Sequence, residues 1–420
     1  MHRRDFLKAG GAAVIAPSLA GLLAACGKDD SKSATTDTTA SGPAATTARS
    51  SVAPRKVKLG FIALTDCASI VMAKELGYFT ERDLDVTIEK QASWPATRDN
   101  LLNNGLDGAH CLSSMPYSVA TGVSGQGTAL KIAMMLNNNG QAITLNKDFA
   151  SVGYGDLARA KAALESKEPT LAMTYPGGTH DTWLRYWLKA TKADTSKIKI
   201  IAIPPPQMVA NMKAGAMDGY CVGEPWNAVA VQQGIGFTHL TTQDLWLNHP
   251  EKALVVSEKF ATEQPDVLKD LMGAILQASK WLDDFANRPK AAEVLGGPNY
   301  VNAPAADIAG RLAGTYDLGA GLPQRTYKGD QMVFFRDGRT NAPRRAHAVW
   351  FMAQYQRFGL LKEAPPYMQL ADSIILKDVY ENVAAAEKID VPDDDMSPFE
   401  VKLDGVTFDP AKPEEEVKRR

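Results

Sequence analysis

The 420-residue chain has only four cysteines, Cys26, Cys67, Cys111 and Cys221, and they lie too far apart to match the spacing of a zinc or iron–sulfur ligand set. Cys67, Cys111 and Cys221 each sit beside apolar residues and read as small buried hydrophobes, with at most one disulfide among them. No GxSxG, HExxH or phosphate-loop GKS/T pattern occurs, which removes the nucleophile elbow, the metalloprotease helix and the nucleotide cradle from consideration. Charge is balanced, with 46 Lys and Arg against 48 Asp and Glu, and no basic run follows the chain. Nucleic acid is therefore not an expected partner. The one prolonged apolar stretch, Ala9 to Ala25, is broken by Gly10, Gly11, Pro17 and Gly21 and is shorter than the roughly 20 residues of a membrane-spanning helix. No repeat of solenoid period is present either. Neither a cofactor nor a metal is expected.

That apolar stretch has a different meaning. Arg3 and Arg4 ahead of Phe6-Leu7-Lys8 form a twin-arginine export pattern, and Leu23-Ala24-Ala25-Cys26 reads as a lipobox. Residues 1–25 are thus expected to be a leader, and Cys26 the lipid-modified first residue of a protein exported and anchored to the outer face of the cytoplasmic membrane. The alternative is an uncleaved anchor. Residues 26–55 are rich in Ser, Thr, Ala and Pro; so little apolar surface cannot offset ordering entropy, and a flexible tether follows. Folding is expected from near Lys56, and the remaining chain is long enough for two lobes.

Strand and helix signals then alternate. Residues 57–64 (VKLGFIAL) read as a buried strand, with Asp66 as the N-cap of a helix that stops at Gly77. LDVTIEK is a half-buried strand, and Ser93 caps a helix with Pro95 in its first turn. GAHCLSS, TALKIAMML, PTLAMTYP, KIKIIAIPPP, YCVGEP and EKALVVSEKF are further strands, separated by helical patterns such as THDTWLRYWLKA. This rhythm predicts an α/β fold with mainly parallel sheets. Residues 56–150 are assigned to lobe 1, residues 151–248 to lobe 2, and residues 249–420 to a return into lobe 1. That return carries a helical C-terminal extension and ends in an irregular tail.

In open α/β sheets ligands settle beyond the carboxyl ends of the strands, where helix N-termini point. Four stretches have polar or glycine residues there: 64–67 (LTDC), 93–100 (SWPATRDN), 174–181 (TYPGGTHD) and 222–227 (VGEPWN). Free backbone N–H groups and the positive end of a helix dipole suit a small anion.

Distinctive blocks run in order along nearly the whole chain beyond the tether: QASWPATRDN (91–100), NNNGQAIT (137–144), TYPGGTHDTWLRYW (174–187), AGAMDGYCVGEPWN (214–227), HPEKALV (249–255) and DGVTFDP (404–410). Together they resemble the nitrate- and bicarbonate-binding lipoproteins of ABC importers. The resemblance implies a type II periplasmic-binding-protein fold, two lobes closing on one small oxyanion, and a permease and ATPase as partners. Carried over by position, the ligand-facing residues are Trp94, Gln141, Thr174, His180, Gly223 and Lys252. The bicarbonate binders carry Gln where His180 stands and Glu where Lys252 stands, so the resemblance favours nitrate, possible nitrite binding included, with bicarbonate as the alternative. An exported enzyme on the same fold is the remaining reading, and neither Thr179 nor Asp181 makes His180 a convincing catalytic dyad.

The chemistry points the same way. Nitrate accepts hydrogen bonds and offers none, so its site needs donors and positive charge. No ionised carboxylate is expected to face it. Lys252 supplies a charge and three donors, Gln141 an amide, Thr174 a hydroxyl and His180 a ring N–H. A lysine would also repel a metal ion. For each residue there is a plainer role: Trp94 as core aromatic, Lys252 as solvated surface lysine, His180 as a helix-end brace. His110, His239, His249 and His347 are expected to be structural, and Asp181, Trp183, Arg185, Tyr186 and Trp187 to pack the lobe. Glu224 either braces its loop through a salt bridge or lies close to the ion.

Overall fold

The computed structural model describes residues 53–419; the leader, Cys26 and nearly all of the expected tether lie outside them. Ten strands form two five-stranded sheets. The first contains β1 (Arg55–Phe61), β2 (Leu84–Lys90), β3 (Gly108–Leu112), β4 (Leu130–Asn138) and β10 (Pro250–Ser257), in the order β2-β1-β3-β10-β4. The second contains β5 (Gln141–Asn146), β6 (Thr170–Met173), β7 (Lys199–Ala202), β8 (Gly219–Gly223) and β9 (Gly236–Thr241), in the order β7-β6-β8-β5-β9. The two orders are the same pattern. Each sheet has three parallel strands, and the strand arriving from the other sheet is inserted antiparallel as the fourth, with the fifth paired to it.

The sheets are therefore mixed rather than mainly parallel, because the crossing strands β5 and β10 run against their neighbours. β5 and β9 were not among the strands expected from sequence. The first crossing falls at Asn139–Gly140, not at residue 150, since Gln141 already pairs with Gly223 in the second sheet. β3, β4, β8, β9 and β10 are buried along their whole length, which explains the apolar runs that mark β3, β4, β8 and β10 in the sequence.

The asparagine-rich block makes the crossing. Asn139 and Asn248 both have positive φ, at 62° and 61°, a conformation that asparagine tolerates better than most residues. The Asn138 amide donates to the His249 carbonyl at 3.1 Å, the Asn248 N–H donates to Asn139 Oδ1 at 2.9 Å, and the Asn137 side-chain oxygen accepts from the Lys252 N–H at 3.2 Å. The outgoing and returning segments are stitched together directly beside Gln141 and Lys252.

Expected caps divide into one match and one correction. Ser93 Oγ accepts from the Ala96 N–H at 3.3 Å, with Pro95 in the first turn of helix Trp94–Leu102. Asp66 caps nothing: it lies in a 3-10 turn ahead of helix Ala68–Glu75, and its carboxyl is committed elsewhere. The C-terminal stretch is not irregular. Phe399–Val401 and Val406–Phe408 pair as a hairpin, and Pro413–Lys418 is a helix packed on helix Arg345–Arg357, with buried Glu416 accepting from Arg357 and Gln354. Helix Ala305–Leu312 packs on helix Trp226–Gln232 of the second half. No helix among the described residues is long and apolar enough to cross a membrane.

Candidate functional site

The turn that presents His180 is built from glycine. Gly177 has φ 68°, and a Cβ there would lie 2.6 Å from Ser118 Oγ; one on Gly178 would lie 2.8 Å from Leu112 and 2.9 Å from the Tyr175 carbonyl. Asp181 holds the turn, accepting from the Gly177 N–H at 2.9 Å and from Arg185 Nε at 2.7 Å. Helix Thr179–Thr191 then starts with His180 fully buried in its first turn.

All six residues expected at the site are buried, and His180, Gln141 and Lys252 meet in one polar cluster between the sheets. Its centre is a residue missed from sequence. Asp66, just past β1, accepts from Lys252 Nζ at 2.9 Å, Gln141 Nε2 at 2.9 Å and His110 Nε2 at 2.6 Å. Glu251 is the second: its Oε1 accepts from Lys252 Nζ at 2.8 Å and from Thr179 Oγ1 at 2.5 Å, and its Oε2 accepts from Trp183 Nε1 at 2.8 Å. Two carboxylates thus pair with the Lys252 ammonium, neither of them among the residues expected at the site.

These contacts settle the histidine tautomer. A carboxylate only accepts, so Gln141 must turn its amide nitrogen to Asp66 and its oxygen to His180. His180 Nε2, 2.8 Å from Gln141 Oε1, therefore carries the proton, and Nδ1 accepts from the Thr174 hydroxyl at 2.6 Å. His180 is a neutral donor, and burial, reinforced by the Lys252 charge, pulls its pKa down to about 3. Burial pushes the Asp66 carboxyl up, but Lys252 and His110 outweigh that and hold it well below the ordinary carboxylate range. Burial alone would lower Lys252; Asp66 and Glu251 raise it instead. The ion pair is fully charged.

Gly223 ends β8 against this cluster. A Cβ there would come within 2.5 Å of Gln141 Oε1 and 3.4 Å of Asp66 Oδ2. Trp94 is the first residue of its helix, with Lys252 Nζ 5.8 Å from its ring centroid and the His110 ring 5.8 Å away. Several buried polar atoms here have no partner: Trp94 Nε1, His110 Nδ1, Thr65 Oγ1, Ser113 Oγ and Ser114 Oγ, all at the carboxyl ends of β1 and β3 or the neighbouring helix start. Orphaned polar atoms are uncommon in protein interiors; others in this chain, such as Ser279 Oγ and Trp350 Nε1, lie elsewhere.

Other residues take the plainer roles. His239 and His347 sit among aromatic rings away from Lys252, whereas His110, also expected to be structural, belongs to the cluster. His249 stacks on Trp183 at 4.6 Å and lies 3.5 Å from Glu251. Trp183 packs on Trp350 at 5.6 Å as expected but also donates into the site. Of the two readings left open for Glu224, the brace holds: its Oε1 pairs with Arg311 at 3.3 Å and its Oε2 accepts from the Ala228 N–H.

Two sheets of matching order that bury a donor-rich cluster between them are the type II periplasmic-binding-protein fold. The chain belongs to the NMT1-like family, whose model matches residues 50–296. It is 38% identical over 436 residues to the nitrate/nitrite binding protein NrtA of Nostoc sp. strain PCC 7120, covering 99% of this chain and 97% of that protein. The bicarbonate-binding protein CmpA of Synechococcus elongatus is 27% identical over 385 residues, covering 86% and 85%. Among solved structures, the crystal structure of the periplasmic nitrate-binding protein NrtA from Synechocystis PCC 6803 superposes with a TM-score of 0.83 at 34% identity, covering 87% of this chain and 99% of that one.

Proposed function

We propose that this protein captures nitrate, and nitrite with it, as the extracytoplasmic solute-binding component of an ABC importer, and hands it to the importer's permease and ATPase. It is a binding protein, not an enzyme. The two sheets with their helices act as the two lobes, and Trp94, Gln141, Thr174, His180, Gly223 and Lys252 form the ion's surroundings. Cys26, as a lipidated first residue after twin-arginine export, would anchor the protein to the outer face of the membrane. The observation that carries the site reading is a fully buried ammonium, Lys252, beside a buried indole N–H, Trp94 Nε1, that has no acceptor. By the family resemblance Lys252 also stands where the bicarbonate branch carries Glu, which favours nitrate over bicarbonate.

The ligand reading is checked by thermal shift with nitrate, nitrite, bicarbonate with calcium, and an alkanesulfonate. Nitrate and nitrite are expected to raise Tm most; a larger rise with bicarbonate and calcium overturns it.

Trp94→Phe tests the site reading without unfolding it. An aromatic ring is kept and a partnerless donor is removed, so the cavity cost of the smaller ring is offset by the about 1–3 kcal/mol that an unsatisfied buried donor costs, and Tm should change little. Nitrate affinity should fall about 3- to 10-fold, the worth of one hydrogen bond. An unchanged dissociation constant in calorimetry would remove Trp94 from the site. His180→Gln should weaken nitrate binding by about tenfold and lower Tm as well, since the Thr174 hydroxyl loses the ring nitrogen that accepts from it. If binding is untouched while Tm drops, His180 is a brace only.

A further inference from the structure

The cluster holds one more carboxyl group than it holds ammonium groups. Asp66 is ionised against Lys252, and three donors (Lys252, Thr179 and Trp183) converge on Glu251, which therefore serves only as an acceptor. All of these side chains are buried, and so are the three neutral histidines that accompany them, His110, His180 and His249. Adding a monovalent anion to a buried site that is already net negative is unfavourable unless positive charge arrives too.

The histidines differ in what they can still accept. His180 has both nitrogens engaged, by Thr174 and Gln141. His249 likewise uses both, Nε2 with Thr242 at 2.8 Å and Nδ1 with the Pro250 carbonyl at 3.2 Å. His110 gives its Nε2–H to Asp66 and leaves Nδ1 buried without a partner. A proton added there would make an imidazolium held by Asp66 on one side and offering a new N–H on the other. The groups that face it are Asp66 from the turn after β1, Lys252 and Glu251 from β10, and the uncharged Trp94 ring from the helix above.

We propose that His110 takes up one proton from solvent as the oxyanion binds, and that the resulting Nδ1–H donates to the anion. The protonation adds one N–H bond and breaks none in the protein; the complex keeps the charge of the empty site. In the absence of anion, burial, opposed by Asp66, keeps the imidazole neutral, so the proton and the anion arrive together. By linkage, affinity falls as pH rises, by about tenfold per pH unit across the window between the free and bound pKa values of His110. The inference rests on the oxyanion reading above and adds a fifth donor group, and a charge-matching device, to the four donating side chains expected from sequence: a bound proton in place of a bound cation.

The test is titration calorimetry of the wild-type protein with nitrate at one pH in HEPES and in Tris, buffers with different ionisation enthalpies. The expected result is a heat difference corresponding to about one proton taken up per anion. His110→Gln keeps an N–H for Asp66 but has no basic nitrogen, so its uptake should fall towards zero and its pH slope should flatten. Nitrate binding with identical wild-type heats in both buffers overturns the inference and leaves the oxyanion reading intact. Uptake that persists in His110→Gln overturns the assignment to His110. No nitrate heat at any pH overturns the oxyanion reading and this inference with it. The wild-type comparison decides even if the variant does not fold.

Discussion

Lys252→Glu protein is expected to show no measurable nitrate binding and to melt well below the wild type. Two effects add. The substitution removes the only ammonium in the described cluster, which faces Asp66 at 2.9 Å and Glu251 at 2.8 Å, and it places a third carboxyl group beside the other two. Breaking a buried ion pair by removing one partner costs about 3–5 kcal/mol, a Tm loss on the order of 10 °C for a chain of this size. The anion then meets like charge where it had a charge-assisted donor. The pH dependence has a definite sign. Asp66, held down in the folded state, contributes stability that is present above the ordinary carboxylate pKa and lost as pH falls towards its folded value. In the variant the Lys252 partner is gone, and acid neutralises the crowded carboxyl groups, so the Tm gap between variant and wild type should narrow below about pH 5. A Lys252→Glu protein that melts normally and binds nitrate normally in calorimetry would remove Lys252 from both roles.

What could be read in advance follows the range of the interactions involved. Buried strands announce themselves by apolar runs, and Ser93 by its place before Trp94-Pro95, because those signals are local. β5 was missed because QAITLN mixes polar and apolar residues at the point where the chain crosses between sheets, and its partners β8 and β9 are far away in sequence. The six expected site residues come from matching distinctive blocks to a family, and all six are buried; spacing alone does not assemble them. Asp66 and Glu251 stayed hidden for different reasons. Asp66 stands where a helix cap is expected, so its local role looked complete. Glu251 precedes Lys252 on a strand, where alternation sends neighbours to opposite faces. The register shift between Pro250 and Lys252 breaks that alternation, and both side chains reach the same cluster.

The two carboxylates also change how the site's selectivity is understood. A site of donors alone would hold any small anion, and its ammonium would be free to repel cations. Here Lys252 is neutralised twice over, so the anion must compete with Asp66 and Glu251 for donors that are already satisfied. On the proposed function, a weak base such as nitrate wins only if several donors act together. The Gln141 side chain, which bonds both Asp66 and His180, is the group through which we propose their rearrangement passes.

Gly223→Ala tests that placement and should be the most damaging of the small substitutions. The added Cβ would sit 2.5 Å from Gln141 Oε1, with Leu64 at 3.0 Å and Asp66 Oδ2 at 3.4 Å on its other sides. The end of a glutamine side chain usually moves aside cheaply, but this one is pinned between an acceptor-only carboxylate and a donor ring nitrogen. Moving it breaks both bonds, and each buried group left unsatisfied costs about 1–3 kcal/mol. Retreat of the β8 backbone is also opposed, because Gly223 is paired with Gln141 itself across the ladder. The expected outcome is a loss of nitrate affinity of at least about a hundredfold, from two such bonds, with a smaller fall in Tm, since the sheet and its apolar core are untouched. Adding Gln141→Ala to the same chain relieves the clash, so the double variant should bind no worse than Gln141→Ala alone, a non-additivity that a double-mutant cycle reads directly. Additive losses in that cycle would mean that Gly223 acts through the backbone approach of the ion and not through Gln141.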